Sequence, residues 1–369
     1  MKSRLIDAMG NAMALVRNSN LVEATALLRK TLSGGDPLAR AGQPASPLPL
    51  PPDFRFAPAP RGLGDVLQAL RAGRATLPGT PFAPDETPAY PPDDKFIARS
   101  YCGPAGSLNY RLYVPADHAG RELALVLMLH GCTQNPEDFA LGTQMNGLAD
   151  EFGLIVAYPH QPRAANASGC WNWFDKRHQH RGSGEPAMLA GLAQSLASEF
   201  GIGRERTFAA GLSAGGAMAE VLAATYPDLF EAVGIHSGLP YKAAKDVPSA
   251  FAAMKGTVAE PALRVVTETE CRKIVFHGDA DTTVNSINAM RILQRASGGK
   301  LKQIDLESEI GGRHVNQTVL QDSAGQPVVE LWSVAGGGHA WFGGDSRGSY
   351  TQSVGLDASR LMVRFFLKL

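Results

Sequence analysis

The chain has 369 residues, 44% of them hydrophobic, and its 35 Lys and Arg balance 35 Asp and Glu. This length and composition predict a globular protein with a large buried core. The longest apolar runs fall far short of the roughly 20 residues of a membrane-spanning helix, and no basic stretch with interleaved aromatics suits nucleic acid. We therefore expect no membrane span and no nucleic-acid partner.

Residues 1–33 carry apolar residues at helical spacing on both sides of Asn18-Ser19-Asn20, which predicts a helical hairpin. Its ordinary role would be docking or self-association, and the alternative is adhesion to a hydrophobic polymer. The same residues lack the continuous apolar core and small-residue cleavage site of a secretory signal. We expect a cytoplasmic location, with an extracellular one as the alternative.

A linker is predicted over residues 34–93, because fourteen of the 25 prolines lie before residue 100 and few large apolar residues accompany them. The catalytic domain is expected to span residues 94–369. There, apolar runs alternate with helical patterns. The runs are 123–130, 154–159, 206–211, 232–238, 273–278 and 328–334. This alternation predicts a mostly parallel sheet with helices on both faces, with the chemistry at the carboxyl ends of the strands.

The sequence GLSAG at residues 211–215 has the form G-x-S-x-G between an apolar run and an Ala-rich helical pattern. This context is typical of a nucleophile elbow, in which the serine occupies a sharp, strained turn. Ser213 is therefore the candidate nucleophile, and the N–H of Ala214 would face a developing oxyanion. A Gly-rich turn with no catalytic role is the alternative.

A serine nucleophile requires a base, and His339 lies in AGGGHAWFGG after the last strong strand. The order Ser, acid, His is the one expected of an α/β-hydrolase. His178 and His180 resemble a ligand pair, but no Cys or carboxylate stands at metal spacing, so we interpret them as a solvated loop. Three further histidines end predicted strands, where they either line the site or hydrogen bond at the sheet edge. These are His130, His236 and His277.

The loop after the 123–130 strand is the usual source of the second oxyanion N–H. Gly131 allows the backbone to turn inward, and Cys132 would supply the N–H. The four cysteines show no C-x-x-C spacing, which disfavours zinc. One disulfide can form at this length, but the sequence leaves the pairing open, so the side chain of Cys132 is either packed or bridged. A nucleophilic role for this cysteine is disfavoured, because no activating base is near it in sequence.

Two aspartates, Asp279 and Asp281, stand two residues apart in FHGDADTTV. They predict either the acid that orients the histidine or a metal site. No third hard ligand lies beside them, which disfavours the metal.

The region from Ser100 to Leu369 resembles the poly(3-hydroxybutyrate) depolymerase family of esterases, which is similar to feruloyl and acetylxylan esterases. The matching stretches are LHGCTQNPEDFA, YPHQPRAANASGCWNWF, GLSAGGAMAE, FHGDADTTVN and GGGHAWFGG. The resemblance implies an α/β-hydrolase fold, a Ser-Asp-His triad, no metal or other cofactor, and hydrolysis of carboxylic esters.

Carried onto this chain, the resemblance implies Ser213 as nucleophile, His339 as base and Asp281 as acid. Cys132 and Ala214 would give the oxyanion N–H groups, and Asp279 would support the turn. An aromatic surface near the substrate is also implied, with core packing as the alternative for each ring. Its members would be Trp171, Trp173 and Trp341.

The implied substrate is a 3-hydroxybutyrate-type polyester or its oligomers, with a feruloyl or acetylxylan ester as the alternative. A serine peptidase on the same fold is a less favoured enzyme. A non-catalytic polymer- or granule-binding protein is the alternative of another class. The segment from Leu239 to Glu270 is long enough to cap the site and limit chain length.

Overall fold

The computed structural model describes residues 94–257, 271–296, 301–353 and 355–369. The predicted hairpin (1–33) and linker (34–93) lie outside the described residues, and so does most of the second half of the predicted cap segment. The domain boundaries therefore stay predictions.

A central sheet contains ten strands in the order β1-β2-β4-β3-β5-β6-β7-β10-β9-β8. These are β1 (Phe96–Gly103), β2 (Gly106–Tyr113), β3 (Ala124–Leu129), β4 (Leu154–Pro159), β5 (Thr207–Leu212), β6 (Ala232–His236), β7 (Arg272–Gly278), β8 (Lys302–Ile310), β9 (Arg313–Gln321) and β10 (Pro327–Val334). The six strands from β4 to β10 in the middle of this order pair in parallel. A separate two-stranded sheet joins β11 (Trp341–Phe342) to β12 (Thr351–Gln352).

Seven α-helices are described. They are α1 (Pro136–Thr143), α2 (Met145–Phe152), α3 (Gly184–Phe200), α4 (Ala214–Thr225), α5 (Val247–Met254), α6 (Ile287–Ala296) and α7 (Ala358–Leu367). Apolar residues of α3, α4, α5 and α6 pack in one core cluster, and those of α1, α2 and α7 pack in another. Every residue of β3, β4, β5 and β6 is buried, as expected for strands covered on both faces. The predicted mostly parallel sheet with helices on both faces is confirmed.

Two features differ from the sequence-based expectation. The helical pattern at 136–152 is interrupted at Gln144, whose φ of 55° ends α1 and begins α2. Antiparallel strands extend the sheet at both edges, β1 and β2 on one side and β9 and β8 on the other. These edge strands escape prediction because they are not continuous apolar runs, and β8 has no buried residue.

Within the described part of the chain, no helix is both long enough and apolar enough to cross a bilayer.

Candidate active site

Ser213 occupies the turn between β5 and α4 with φ 56° and ψ −115°, a backbone conformation that residues other than glycine rarely adopt. Its N–H donates to the carbonyl of His236 at 2.9 Å, which ties the turn to the neighbouring strand. A Cβ on Gly215 would lie 1.9 Å from the carbonyl oxygen of Leu129, so only glycine lets α4 approach β3 this closely. The turn therefore holds a half-buried serine side chain at the carboxyl end of β5.

The loop after β3 lies beside this serine. A Cβ on Gly131 would be 3.7 Å from the Cβ of Ser213. The Gly131 N–H donates to Oε1 of Gln134 at 2.9 Å, and the Thr133 N–H donates to the Ser168 carbonyl at 2.8 Å. Cys132 lies between these two anchored residues. The start of α4, at Ala214, directly follows the nucleophile candidate.

Cys132 and Cys170 form a disulfide across 38 residues of sequence, which settles the pairing that the sequence left open. The bridge ties the loop after β3 to the segment that leads into Trp171. Of the described cysteines that remain free, Cys102 is exposed and Cys271 is buried. Burial raises the pKa of the Cys271 thiol to about 12, so this thiol is unsuited to act as a nucleophile.

Nδ1 of His339, in the loop after β10, lies 2.7 Å from Oδ2 of Asp281, in the loop after β7. The other carboxylate oxygen, Oδ1, accepts the N–H groups of Thr283 at 2.9 Å and Val284 at 2.8 Å. Burial by itself would raise the pKa of Asp281. Hydrogen bonds from His277 and His339 outweigh burial and hold this pKa well below its usual value. The group is thus a buried, ionised carboxylate aimed at an imidazole that is itself partly accessible.

The two loops meet through paired glycines. A Cβ on Gly278 would lie 2.1 Å from the carbonyl oxygen of Gly337, so the backbones touch where a side chain would separate them. Asp279 strengthens this contact, because its Oδ1 accepts the N–H of Gly336 at 2.7 Å. Of the two neighbouring aspartates, one faces the imidazole and the other supports the loop that carries His339.

His130 and His236 are buried, and both are held by backbone groups. Nδ1 of His130 donates to the Gly131 carbonyl, and its Nε2 accepts the Gln161 N–H at 3.2 Å. Nε2 of His236 accepts the Phe342 N–H at 3.1 Å. Burial lowers the pKa of His130 to about 4 and that of His236 well below its usual value. These neutral imidazoles therefore hold the loops around the site in place.

His178 and His180 are not arranged as a ligand pair. Nδ1 of His178 accepts the backbone N–H of Glu185 at 2.9 Å, and His180 is exposed. In the described ranges, no group of three or more His, Cys, Asp or Glu is placed to hold a metal ion.

The structure brings two further residues to the site. The sequence left His277 either in the site's lining or at the sheet edge, and it did not single out Tyr350. His277 is buried at the end of β7, with Nε2 3.4 Å from Oδ2 of Asp281. The ring of Tyr350 meets that of His339 edge-on at 6.4 Å between centroids, and its hydroxyl lies 3.3 Å from Oγ1 of Thr133. The spacing of four residues between His277 and Asp281 could have indicated their contact from the sequence, whereas no motif indicated a role for Tyr350.

The three tryptophans expected on an aromatic surface are 1%, 6% and 0% exposed. They are Trp171, Trp173 and Trp341. The indole N–H of Trp341 donates to Oγ of Ser359 at 3.0 Å, and its ring packs on Phe139 at 5.4 Å between centroids. The three rings are therefore packed in the core, which was the alternative role for them, and they form no exposed aromatic surface.

Several known proteins are similar to this chain in sequence. The family model described as Esterase PHB depolymerase matches residues 108–300, more than half of the 369 residues. Poly(3-hydroxyalkanoate) depolymerase C of Paucimonas lemoignei is 29% identical over 63% of this chain. Poly(3-hydroxybutyrate) depolymerase of Ralstonia pickettii is 28% identical over 71% of it. The matched region spans 58% of the length of each of these relatives.

Other similar proteins are named as acetylxylan esterases. A probable acetylxylan esterase A of Aspergillus fumigatus is 28% identical over 53% of this chain and 56% of its own length. Among solved structures, the acetyl xylan esterase from Aspergillus awamori superposes with a TM-score of 0.52 at 20% identity, covering 66% of this chain and 94% of that one. This likeness shows a shared fold, and the predicted α/β-hydrolase fold is confirmed. By the match of its family model, the chain belongs to the Esterase PHB depolymerase family.

Proposed function

We propose that the protein hydrolyses carboxylic esters through Ser213, His339 and Asp281. One observation carries the proposal: the 2.7 Å contact between His339 and Asp281 joins loops that follow β10 and β7, at the same sheet edge as the strained Ser213 turn. Nucleophile, base and orienting acid on three strand ends are the arrangement that serine hydrolysis requires.

In the first half of the reaction, Nε2 of His339 removes the proton of Ser213 as Oγ attacks the ester carbonyl. Asp281 accepts a hydrogen bond from Nδ1–H of His339, so it fixes the reactive tautomer and stabilises the cation that forms. The N–H groups of Cys132 and Ala214 receive the oxyanion of the tetrahedral intermediate. The first is anchored by the disulfide and the second lies at the amino end of α4, where backbone N–H groups have no partner within the helix.

In the second half, His339 gives its proton to the leaving alcohol, and the acyl group remains on Ser213. The same imidazole then takes a proton from water, which attacks the acyl carbon and releases the carboxylic acid. His339 then protonates Oγ of Ser213 as its bond to the acyl carbon breaks. The original Ser213 proton thus leaves with the alcohol, a proton from water replaces it, and the cycle balances without a cofactor.

The test is Ser213→Ala, assayed on short p-nitrophenyl esters. Hydrolysis by purified, folded Ser213→Ala protein at the wild-type rate would overturn the proposal. A fluorophosphonate probe separates this enzyme from a non-catalytic polymer- or granule-binding protein. The enzyme is expected to be labelled at Ser213, and a wild-type protein left unlabelled would favour the binding role.

For the substrate, we propose a 3-hydroxybutyrate-type polyester or its oligomers. The names of the relatives from Paucimonas and Ralstonia support it, while that of the acetylxylan esterase from Aspergillus fumigatus supports the alternative of a feruloyl or acetylxylan ester. A panel at equal enzyme concentration decides between them. It would compare 3-hydroxybutyrate oligomers, amorphous polymer, methyl ferulate and acetylated xylan. Preference for either of the last two would replace the proposed substrate.

The expected location also needs a test. The sequence favoured the cytoplasm, but the Cys132–Cys170 disulfide favours the extracellular alternative, because such bonds persist in oxidising compartments. Activity in the medium rather than in washed cells would support export. Self-association through the N-terminal helices stays a separate proposal, which sedimentation of the full chain would test.

A further inference from the structure

Asp281 has a second histidine neighbour besides His339. The side chain of His277 is 1% exposed, and its Nε2 lies 3.4 Å from the same carboxylate oxygen, Oδ2, that His339 approaches. The shorter contact of this imidazole is with the carbonyl oxygen of Val284, 2.8 Å from Nε2. His277 thus bridges a carboxylate and a backbone carbonyl with one nitrogen.

These contacts determine the tautomer of His277. A carbonyl oxygen only accepts hydrogen bonds, so Nε2 must carry the proton that it shares with Val284. The other nitrogen, Nδ1, is buried and has no hydrogen-bond partner among the described residues. A proton there would be a buried donor without an acceptor, which is costly. The arrangement therefore requires a neutral ring protonated at Nε2.

Val284 closes the arrangement into a ring. Its N–H donates to Oδ1 of Asp281 at 2.8 Å, while its carbonyl accepts from His277, whose Nε2 also lies beside Oδ2. The carboxylate of Asp281 is consequently contacted at both oxygens. Rotation about its Cβ–Cγ bond would break the contact with the Val284 N–H or the contact with His277. Oδ2 is left aimed at Nδ1 of His339.

We propose that His277 is a positioning residue for the reaction: its Nε2–H holds the Asp281 carboxylate and the Val284 carbonyl so that Oδ2 faces His339. The inference rests on the proposed function of Asp281 and His339. His277 acts through the acid and does not touch the substrate.

The first test needs no activity, because it observes the tautomer of His277 directly in wild-type protein. Long-range proton–nitrogen correlation spectra of wild-type protein labelled at histidine nitrogens distinguish the tautomers, and the signal of His277 is identified by its loss in His277→Gln. A neutral, Nε2-protonated ring is expected. A ring protonated at Nδ1, or at both nitrogens at neutral pH, would overturn the proposal.

The second test compares two amide replacements. In His277→Gln the amide nitrogen takes roughly the place of Nε2, whereas in His277→Asn it takes that of Nδ1. We expect the Gln variant to keep kcat within about threefold, and the Asn variant to lose about 10- to 100-fold in kcat with KM unchanged, as for a catalytic group misplaced by an ångström. Equal kcat losses in both variants, or a change in KM alone, would contradict positioning through Nε2.

Thermal melting, monitored by circular dichroism, checks that both variants fold. If the Asn variant does not fold, the tautomer of His277 in the wild-type protein tests the proposal. Failure of the underlying function is recognised separately. In that case wild-type protein shows neither ester turnover nor fluorophosphonate labelling, whatever the tautomer of His277.

Discussion

Oδ2 of Asp281 lies 2.7 Å from Nδ1 of His339, although 58 residues separate them in the chain. Asp279, two residues earlier, instead accepts the N–H of Gly336. This division between neighbours allows a matched comparison.

Asp281→Asn is expected to lower kcat on p-nitrophenyl esters by on the order of 10³- to 10⁴-fold, because an amide no longer stabilises the imidazolium or enforces the tautomer. Asp279→Asn retains a carbonyl oxygen for Gly336 and should leave kcat nearly unchanged. Steady-state kinetics of the two variants provide the check. The reverse pattern would move the acid to Asp279.

Gly278→Ala should destabilise the protein by about 1–3 kcal/mol, as overpacking does, because the new Cβ would lie 2.1 Å from the Gly337 carbonyl oxygen. It should also lower kcat, since the acid and base loops would be pushed apart. Gly338→Ala, beside Gly337 in the loop after β10, is the control, as its Cβ would meet nothing within 4 Å. Urea unfolding measures both, and equal midpoints would contradict the close approach.

Removal of the Cys132–Cys170 bridge by substituting both residues with serine should cost about 4 kcal/mol of unfolding free energy, from the loop-closure entropy of the 38-residue separation. The exposed free thiol gives the control, because Cys102→Ser breaks no bond. Denaturant unfolding under non-reducing conditions measures the difference. A double variant as stable as Cys102→Ser would show that the bridge contributes nothing.

Glu330→Gln should stabilise the protein at neutral pH. Burial raises the pKa of Glu330, despite hydrogen bonds from Trp332 and Gln317 that oppose the shift. Because the pKa of Glu330 is higher in the folded than in the unfolded protein, its protonated carboxyl stabilises the fold fully below the unfolded pKa of about 4.3. This stabilisation is lost as the pH rises through the folded pKa. The amide keeps an oxygen acceptor for both donors without the charge.

The melting temperature of Glu330→Gln should therefore exceed that of wild type at pH 7 to 8, and the difference should vanish toward pH 4. A variant that melts below wild type at pH 8 would show that the ionised form is the favoured one.

What could be predicted from the sequence was mostly local. The central strands follow from continuous apolar runs, and the strained turn at Ser213 follows from glycines that permit a close approach of helix and strand. His339 was singled out by its place after the last strong strand, because parallel strands bring their carboxyl ends to one edge. The edge strands β1 and β8 were missed, since largely exposed strands lack such runs.

Tertiary packing decided the rest. Asp281 meets the imidazole and Asp279 the N–H of Gly336, both contacts between residues far apart in the chain. The pairing of Cys132 with Cys170 is likewise a contact between separate segments. Sequence by itself determined which residues carry suitable chemistry and which turns hold them, because those depend on local backbone geometry. Only the folded sheet, by bringing separate loops to hydrogen-bonding distance, decided which partners those residues meet.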